Sequence, residues 1–426
     1  MTKRGNRLRL ESLETRLTPA GSLSLTAGNL RVFGDNLNNE IVLTRTGSVV
    51  NVRIDNTNFG NYAVTGGITV FGSNGNDTIE LRLADDFNGP VTIDGGLGAD
   101  EIIISNQGTG VARPRVQGLT TLIGGFGDDF IRIGEGGAVG LTNLNVRGDF
   151  GYDSLRIDRA EINGYVIAST TNSVVIGAGD GESTTQVIIA GPTIITNGGE
   201  AFGDFFFLTG DSILGSLVLT TGGGGDVADI FRGTILGDAT VVQGAGNNSL
   251  TLQRASVVGS LTGVTLNGAD FVDFSIETLI GGSVNLNLGD GNNEVTANGG
   301  AFVNGSFELR TGNGNDYVGG FLRLFPFEPN IAGRLNVNLG NGNNEFDFNG
   351  TLAGPLSYHG GGGEDRVRIA GAHAFALTVR LGAGADIFTF AANTTVASAL
   401  LDFGAGADAY NDGGNVIAWP MTIIGL

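Results

Sequence analysis

Gly95-Gly96-Leu97-Gly98-Ala99-Asp100-Glu101-Ile102 and Gly124-Gly125-Phe126-Gly127-Asp128-Asp129-Phe130-Ile131 carry one pattern. In each, a glycine-rich turn closes on an aspartate and an apolar residue follows two positions later. Glycine at that density serves tight turns, where positive φ or close backbone approach excludes a side chain. The apolar residue opens a short alternating segment with the period of a strand that has one buried face.

Working outward from these two turns, the same signal recurs at fifteen stations. They are Asp77, Asp100, Asp129, Asp153, Glu182, Asp204, Asp229, Asn248, Asp270, Asn293, Asp316, Asn344, Asp365, Asp386 and Asp408, about 23 residues apart. Twelve have glycine two positions earlier and fourteen an apolar residue two positions later, so the chain is a repeat. A second glycine lies eleven residues before the station at Gly66, Gly89, Gly118, Gly237, Gly259, Gly282, Gly305, Gly333 and Gly354. Each coil therefore reads as having two turns, with a constant half between the second glycine and the station and a half of varying length after it.

A propeller blade needs roughly 40–45 residues per repeat, and the leucine-rich pattern is absent. The period predicts an all-β chain: a single elongated parallel β-solenoid, or β-helix, of about 15 coils with terminal caps, a rod on the order of 70 Å long. Residues 1–20 read as an N-terminal targeting or amphipathic segment, 21–65 as N-terminal cap strands, 66–412 as the solenoid, and 413–426 as a C-terminal cap strand with Pro420 at its edge.

Composition narrows the function. Of 426 residues 75 are glycine and 8 proline, and 23 basic residues face 43 acidic ones for a net charge of −20. Such a charge argues against nucleic-acid and anionic-membrane partners and for cations. There is no cysteine, hence no disulfide or thiol chemistry, and Lys3 is the one lysine, which leaves the body of the chain without lysine catalysis. No stretch has the roughly 20 apolar residues of a transmembrane segment.

Two resemblances follow from quoted residues. Arg9-Leu10-Glu11-Ser12-Leu13-Glu14-Thr15-Arg16-Leu17-Thr18-Pro19-Ala20 resembles the L-E-x-L-E-x-R-x-L-L-A segment that opens many planctomycete extracellular proteins, departing from it at Thr18-Pro19. That resemblance implies an extracellular or cell-surface location. The turns at Asp100 and Asp129, with Gly382-Ala383-Gly384-Ala385-Asp386-Ile387-Phe388, resemble the G-G-x-G-x-D-x-U-x nonapeptide of haemolysin-type calcium-binding repeats. In that family each aspartate ligates calcium together with glycine carbonyls. Carried over, the metal ligands are Asp77, Asp100, Asp129, Asp316, Asp365, Asp386 and Asp408. The chain departs from that family in having the motif once per longer coil and asparagine at 248, 293 and 344.

Stacked in register, such carboxylates would lie some 5 Å apart and repel by about 1–3 kcal/mol at effective dielectrics of 80 to 20. A bound calcium ion would relieve this; so would screening, or asparagines interrupting the row. The competing reading gives these Asp and Asn residues side-chain to backbone turn bonds alone.

For catalysis the nearest constellation is Glu364-Asp365-Arg366-Arg368 with His359, an alternation of charges typical of a solvated face. His373 reads as a loop histidine. Asp128 and Asp129, adjacent on a strand, point to opposite faces. Two aromatic groups, the insertion Phe321–Ile331 and Phe205-Phe206-Phe207, are candidates for core filling or, at the insertion, for a surface glycan or protein partner. The chain thus reads as a secreted or cell-surface structural, adhesive solenoid with calcium at its turns. The alternative from another class is a carbohydrate-active β-helix enzyme, similar to a polysaccharide lyase or hydrolase.

Overall fold

A computed structural model describes residues 21–108, 113–177, 186–198, 203–298, 300–320, 328–371, 373, 375–414 and 420–426. The amphipathic segment 1–20, station Glu182 and positions 321–327 of the aromatic insertion lie outside the described residues. The chain is all-β, and its stacked parallel strands form a β-solenoid of about 14 turns of ~23 residues.

Three parallel ladders run along the stack. Sheet one begins at Asn29–Phe33 and Ile68–Asn74, continues through Val91–Leu97, and ends at Ser398–Asp402 and Met421–Ile424. It uses the constant half of each coil. Sheet two begins at Glu40–Thr46 and Thr78–Leu83 and ends at Ala409–Asn411, and each of its strands follows a station. The varying half contains more than one turn: from Val139 onward it adds a third ladder of short strands, among them Thr234–Ile235, Ser256–Val257, Leu279–Ile280 and Phe302–Val303. The two-turn coil expected from glycine spacing is corrected here, because two-residue strands are too short to show a period of two.

Alternation sets the core. In sheet one Leu30, Ile68 and Val91 stack in register and are buried, and so do Ile41, Ile79, Ile102 and Ile131 in sheet two. Each such aliphatic side chain contributes roughly 1.5–3 kcal/mol on burial, repeated at every turn. Toward the C-terminal end aromatic rings take over: Phe346, Phe348, Tyr358, Phe388 and Phe390 are all buried.

Glycine two residues before the station is required by the stacking. Gly98 and Gly127 have φ of +130° and +125°, and a Cβ on either would lie 2.0 or 2.1 Å from the carbonyl oxygen of the equivalent glycine one turn earlier. No side chain fits there.

At the N-terminal end the strands change direction. Ser22–Thr26 pairs antiparallel with Asn29–Phe33, and Glu40–Thr46, Val49–Ile54 and Thr57–Ala63 form an antiparallel meander beside the first coil. The long parallel edge is thereby replaced by short polar strands, a device against end-to-end pairing.

Candidate functional site

The stations stand on one another at the corner between sheets one and two. Their side chains point inward, and Asp77, Asp100, Asp129, Asp316, Asp365 and Asp386 are all buried. Each station's backbone N–H donates to Oδ1 of the station one turn later: Asn39 to Asp77, Asp77 to Asp100, Asp100 to Asp129, and Asp129 to Asp153, at 2.7 to 3.1 Å. The row resumes at Asp204 and runs through Asp226, Asn248, Asp270, Asn293, Asp316, Asn344, Asp365 and Asp386 to Asp408. The Oδ1 bonds of the stations are therefore made between turns, not within one.

One residue earlier, a second rail runs the opposite way. The N–H of Asn76 donates to Asn38, Tyr152 to Asp128, Asn315 to Asn292, Asn343 to Asn315 and Glu364 to Asn343, each time from the later turn to the earlier. The two rails clip each turn to both neighbours. Hydrogen bonds from backbone N–H to a carboxylate are among the stronger neutral-to-charged contacts.

Apart from Asp153, whose Oδ2 accepts from Thr171, and Asp204, whose Oδ2 accepts from the N–H of Gly222, the other side-chain atom of the stations meets one of three surroundings. Where the station is asparagine, Nδ2 donates into the turn, from Asn248 to the carbonyls of Gly244 and Gly246 at 3.0 Å each, and from Asn293 to that of Gly291 at 3.1 Å. Where threonine stands five residues earlier, its hydroxyl donates to Oδ2: Thr221 to Asp226, Thr265 to Asp270, and Thr311 to Asp316. At Asp77, Asp100, Asp129, Asp365, Asp386 and Asp408 the buried Oδ2 has no hydrogen-bond partner among the described residues. At four of these the residue five earlier is glycine, and Gly72, Gly95, Gly124 and Gly360 lie directly beneath the carboxylate.

Burial pushes five of these acids up, Asp77, Asp100, Asp129, Asp365 and Asp386. Desolvation raises Asp77 and Asp100 to about 6 and Asp129 and Asp365 to about 7, against the lowering effect of the rail bond, and neighbouring acids add to the rise. Asp386 is raised for the same reasons. Asp316 is raised by burial too, while Thr311 and Asn293 pull it back.

The structure revises two stations. Asp226, not Asp229, occupies the rail, since Asp204 donates to it and it donates to Asn248. Asp229 lies in the following strand, Val227–Phe231, on its outward side. Between Asp153 and Asp204 the rail changes character, and Asp153 donates to Thr171 Oγ1. Asn39, Asp226 and the three capping threonines escaped the sequence reading, although threonine five before the station is a signal that spacing could have found.

Six of the seven expected calcium ligands are thus the stations with an open oxygen, and the seventh, Asp316, has both oxygens occupied. Calcium takes six to eight oxygen ligands. Each open station offers one carboxylate oxygen; by position, the carbonyls of Gly96 and Gly98 stand to Asp100 as those of Gly244 and Gly246 stand to Asn248. Among the described residues no group of three or more acidic or histidine side chains gathers as a metal cluster.

The remaining candidates separate. Asp365 faces inward, Arg366 and Arg368 lie outward on sheet two, and His359 lies outward on sheet one, so the five-residue constellation does not meet. Arg368 pairs with Asp347 at 2.7 Å. His373 Nε2 donates to the Ala370 carbonyl, 2.6 Å away; the ring stacks on Phe375, and burial pushes its pKa down. Asp128 is outside and Asp129 inside. Phe206 is buried in the core while Phe205 and Phe207 stack outside it. Of the aromatic insertion, Asn330–Ile331 forms a rung of the third ladder. No helix among the described residues is long and apolar enough to cross a membrane. Comparison with protein-family models, curated proteins and solved structures finds no match.

Proposed function

We propose that this chain is a secreted or cell-surface structural protein, a stiff adhesive rod whose open turn carboxylates take up calcium. The observation that carries the reading is the use made of the acids: the buried row builds turn-to-turn hydrogen bonds along the molecule, which suits a scaffold. The resemblance of Arg9–Ala20 to an extracellular opening segment supports export. At Asp77, Asp100, Asp129, Asp365, Asp386 and Asp408 a calcium ion would supply the positive partner that Thr311 supplies to Asp316, with glycine carbonyls as further ligands. Calcium would neutralise the row and lock adjacent turns.

Two measurements test this. Protease shaving of intact cells should remove the protein, and full protection inside intact cells overturns the location. Adding millimolar Ca²⁺ to EGTA-treated protein should raise its melting temperature, and an unchanged melt removes calcium from the proposal while leaving the scaffold.

A further inference from the structure

On a chain of net charge −20, one outward column of sheet one gathers two arginines and a histidine with no acid over four successive turns. Arg310, Asn338, His359 and Arg380 lie in register there, and all four are exposed. Beside them Glu308, Asn336, Ser357 and Thr378 form a second outward column that is half-buried. The first three rungs of the two columns make the wall and floor of a shallow groove, which Arg334 borders on the other side, and Thr378 and Arg380 continue the columns one rung beyond it.

The one acid on the floor is already held. Glu308 is ion-paired with Arg334 and lies 4.0 Å from Arg310, whose side chain remains 69% exposed. Three arginines face two carboxylates, Glu308 on the floor and Asp402 in register beyond Arg380, which leaves a local surplus of one positive charge.

We propose that this groove binds a linear acidic polysaccharide, laid along the solenoid axis with its carboxylates on the arginines and its hydroxyls on the floor. Rungs lie about 4.8 Å apart, so Arg310 and Arg380, three rungs apart in one column, stand roughly 14 Å from each other along the axis, a spacing suited to charge repeated along an extended chain. They do not converge on a point as a site for one small anion would. Arginine matches a carboxylate bidentately. The amides of Asn336 and Asn338 and the hydroxyls of Ser357 and Thr378 both donate and accept, which suits a polymer rich in hydroxyl groups. The inference deepens the adhesive reading and rests on it.

The test uses the purified full chain in EGTA and a short oligomer of polygalacturonate, with its methyl ester as the uncharged control. The acidic oligomer should bind at low ionic strength and be released as salt approaches 1 M, where the screening length falls to about 3 Å. R310E/R380E should weaken binding by at least about tenfold while leaving the melt unchanged, since both side chains are outside the core. R31E, at an exposed position on the first rung of the same sheet, should change nothing. Absence of binding, equal binding of the ester, indifference to the double charge reversal, or tighter binding of a DNA oligonucleotide of equal charge each overturns the proposal. The outcomes stay separable from those above: a surface protein that binds no acidic glycan sinks this site alone, and glycan binding by a protein confined to the cell interior sinks the location alone.

Discussion

Replacing Asp129 by asparagine should stabilise the calcium-free solenoid at pH 8 and do little at pH 4. Asp129 is 2% exposed, and burial raises its acid from 3.8 to about 7. Because the folded value lies above the unfolded one, folding holds the proton. Below pH 4 both states are protonated and nothing is lost; between about pH 4 and 7 the unfolded state ionises while the folded state keeps its proton, so stability falls; above 7 both states are ionised and the loss is complete. Three pH units correspond to roughly 4 kcal/mol as an upper figure. Local relaxation and water entry reduce it, so a gain of about 1–3 kcal/mol at pH 8 is the working expectation. Asparagine keeps Oδ1 for the N–H of Asp100 and brings an amide toward the turn carbonyls, as Asn248 does at its own station. Urea unfolding in EGTA at pH 4, 6 and 8, read with hydrogen exchange at this turn because repeat arrays need not unfold in one step, measures the difference. An asparagine variant less stable than the parent at pH 8, or an advantage independent of pH, would show that the open oxygen is not a cost.

The parent protein in EGTA should itself lose stability as pH rises from 4 to 7, through Asp77, Asp100, Asp129 and Asp365 together; a flat urea midpoint over that range contradicts the assigned shifts. Thr311→Val removes the hydroxyl that reaches Asp316 at 2.7 Å and should cost about 1–3 kcal/mol in urea unfolding. Asp226→Ala breaks the rail bond from Asp204 and strands Thr221, for a similar loss, whereas Asp229→Ala, on the outward side of its strand, should stay within about 0.5 kcal/mol. Equal losses at 226 and 229 would return the station to where glycine-free counting put it.

What could be read in the sequence is what each turn repeats. The glycine two before the station and the apolar residue two after it are forced by stacking, through the contact that excludes a Cβ at Gly98 and Gly127 and through the inward columns that hold Ile79, Ile102 and Ile131. Those constraints act at every turn, so spacing alone exposes them. Asp226 was hidden although Gly224 precedes it correctly, because Ala228 fills the core position that is large elsewhere, and Phe231 made Asp229 look the better match. The third ladder was hidden because two residues cannot alternate.

The division of the stations was hidden for a different reason. Asp100 and Asp316 have the same neighbours two before and two after in kind, and what distinguishes them is Gly95 against Thr311, five residues away on the preceding strand. Turn chemistry and strand chemistry are read separately in a sequence, but here one atom, Oδ2, is served by both. Asparagine makes that service unnecessary by carrying its own donor, which is why Asn248, Asn293 and Asn344 sit among the threonine-capped aspartates without breaking the row. The open oxygens gather in two blocks toward the ends of the row, glycine-backed at Asp77, Asp100, Asp129 and Asp365 but not at Asp386 and Asp408, and at the four where burial raises the acid to about 6 or 7 a bound proton is what removes the cost of the buried charge.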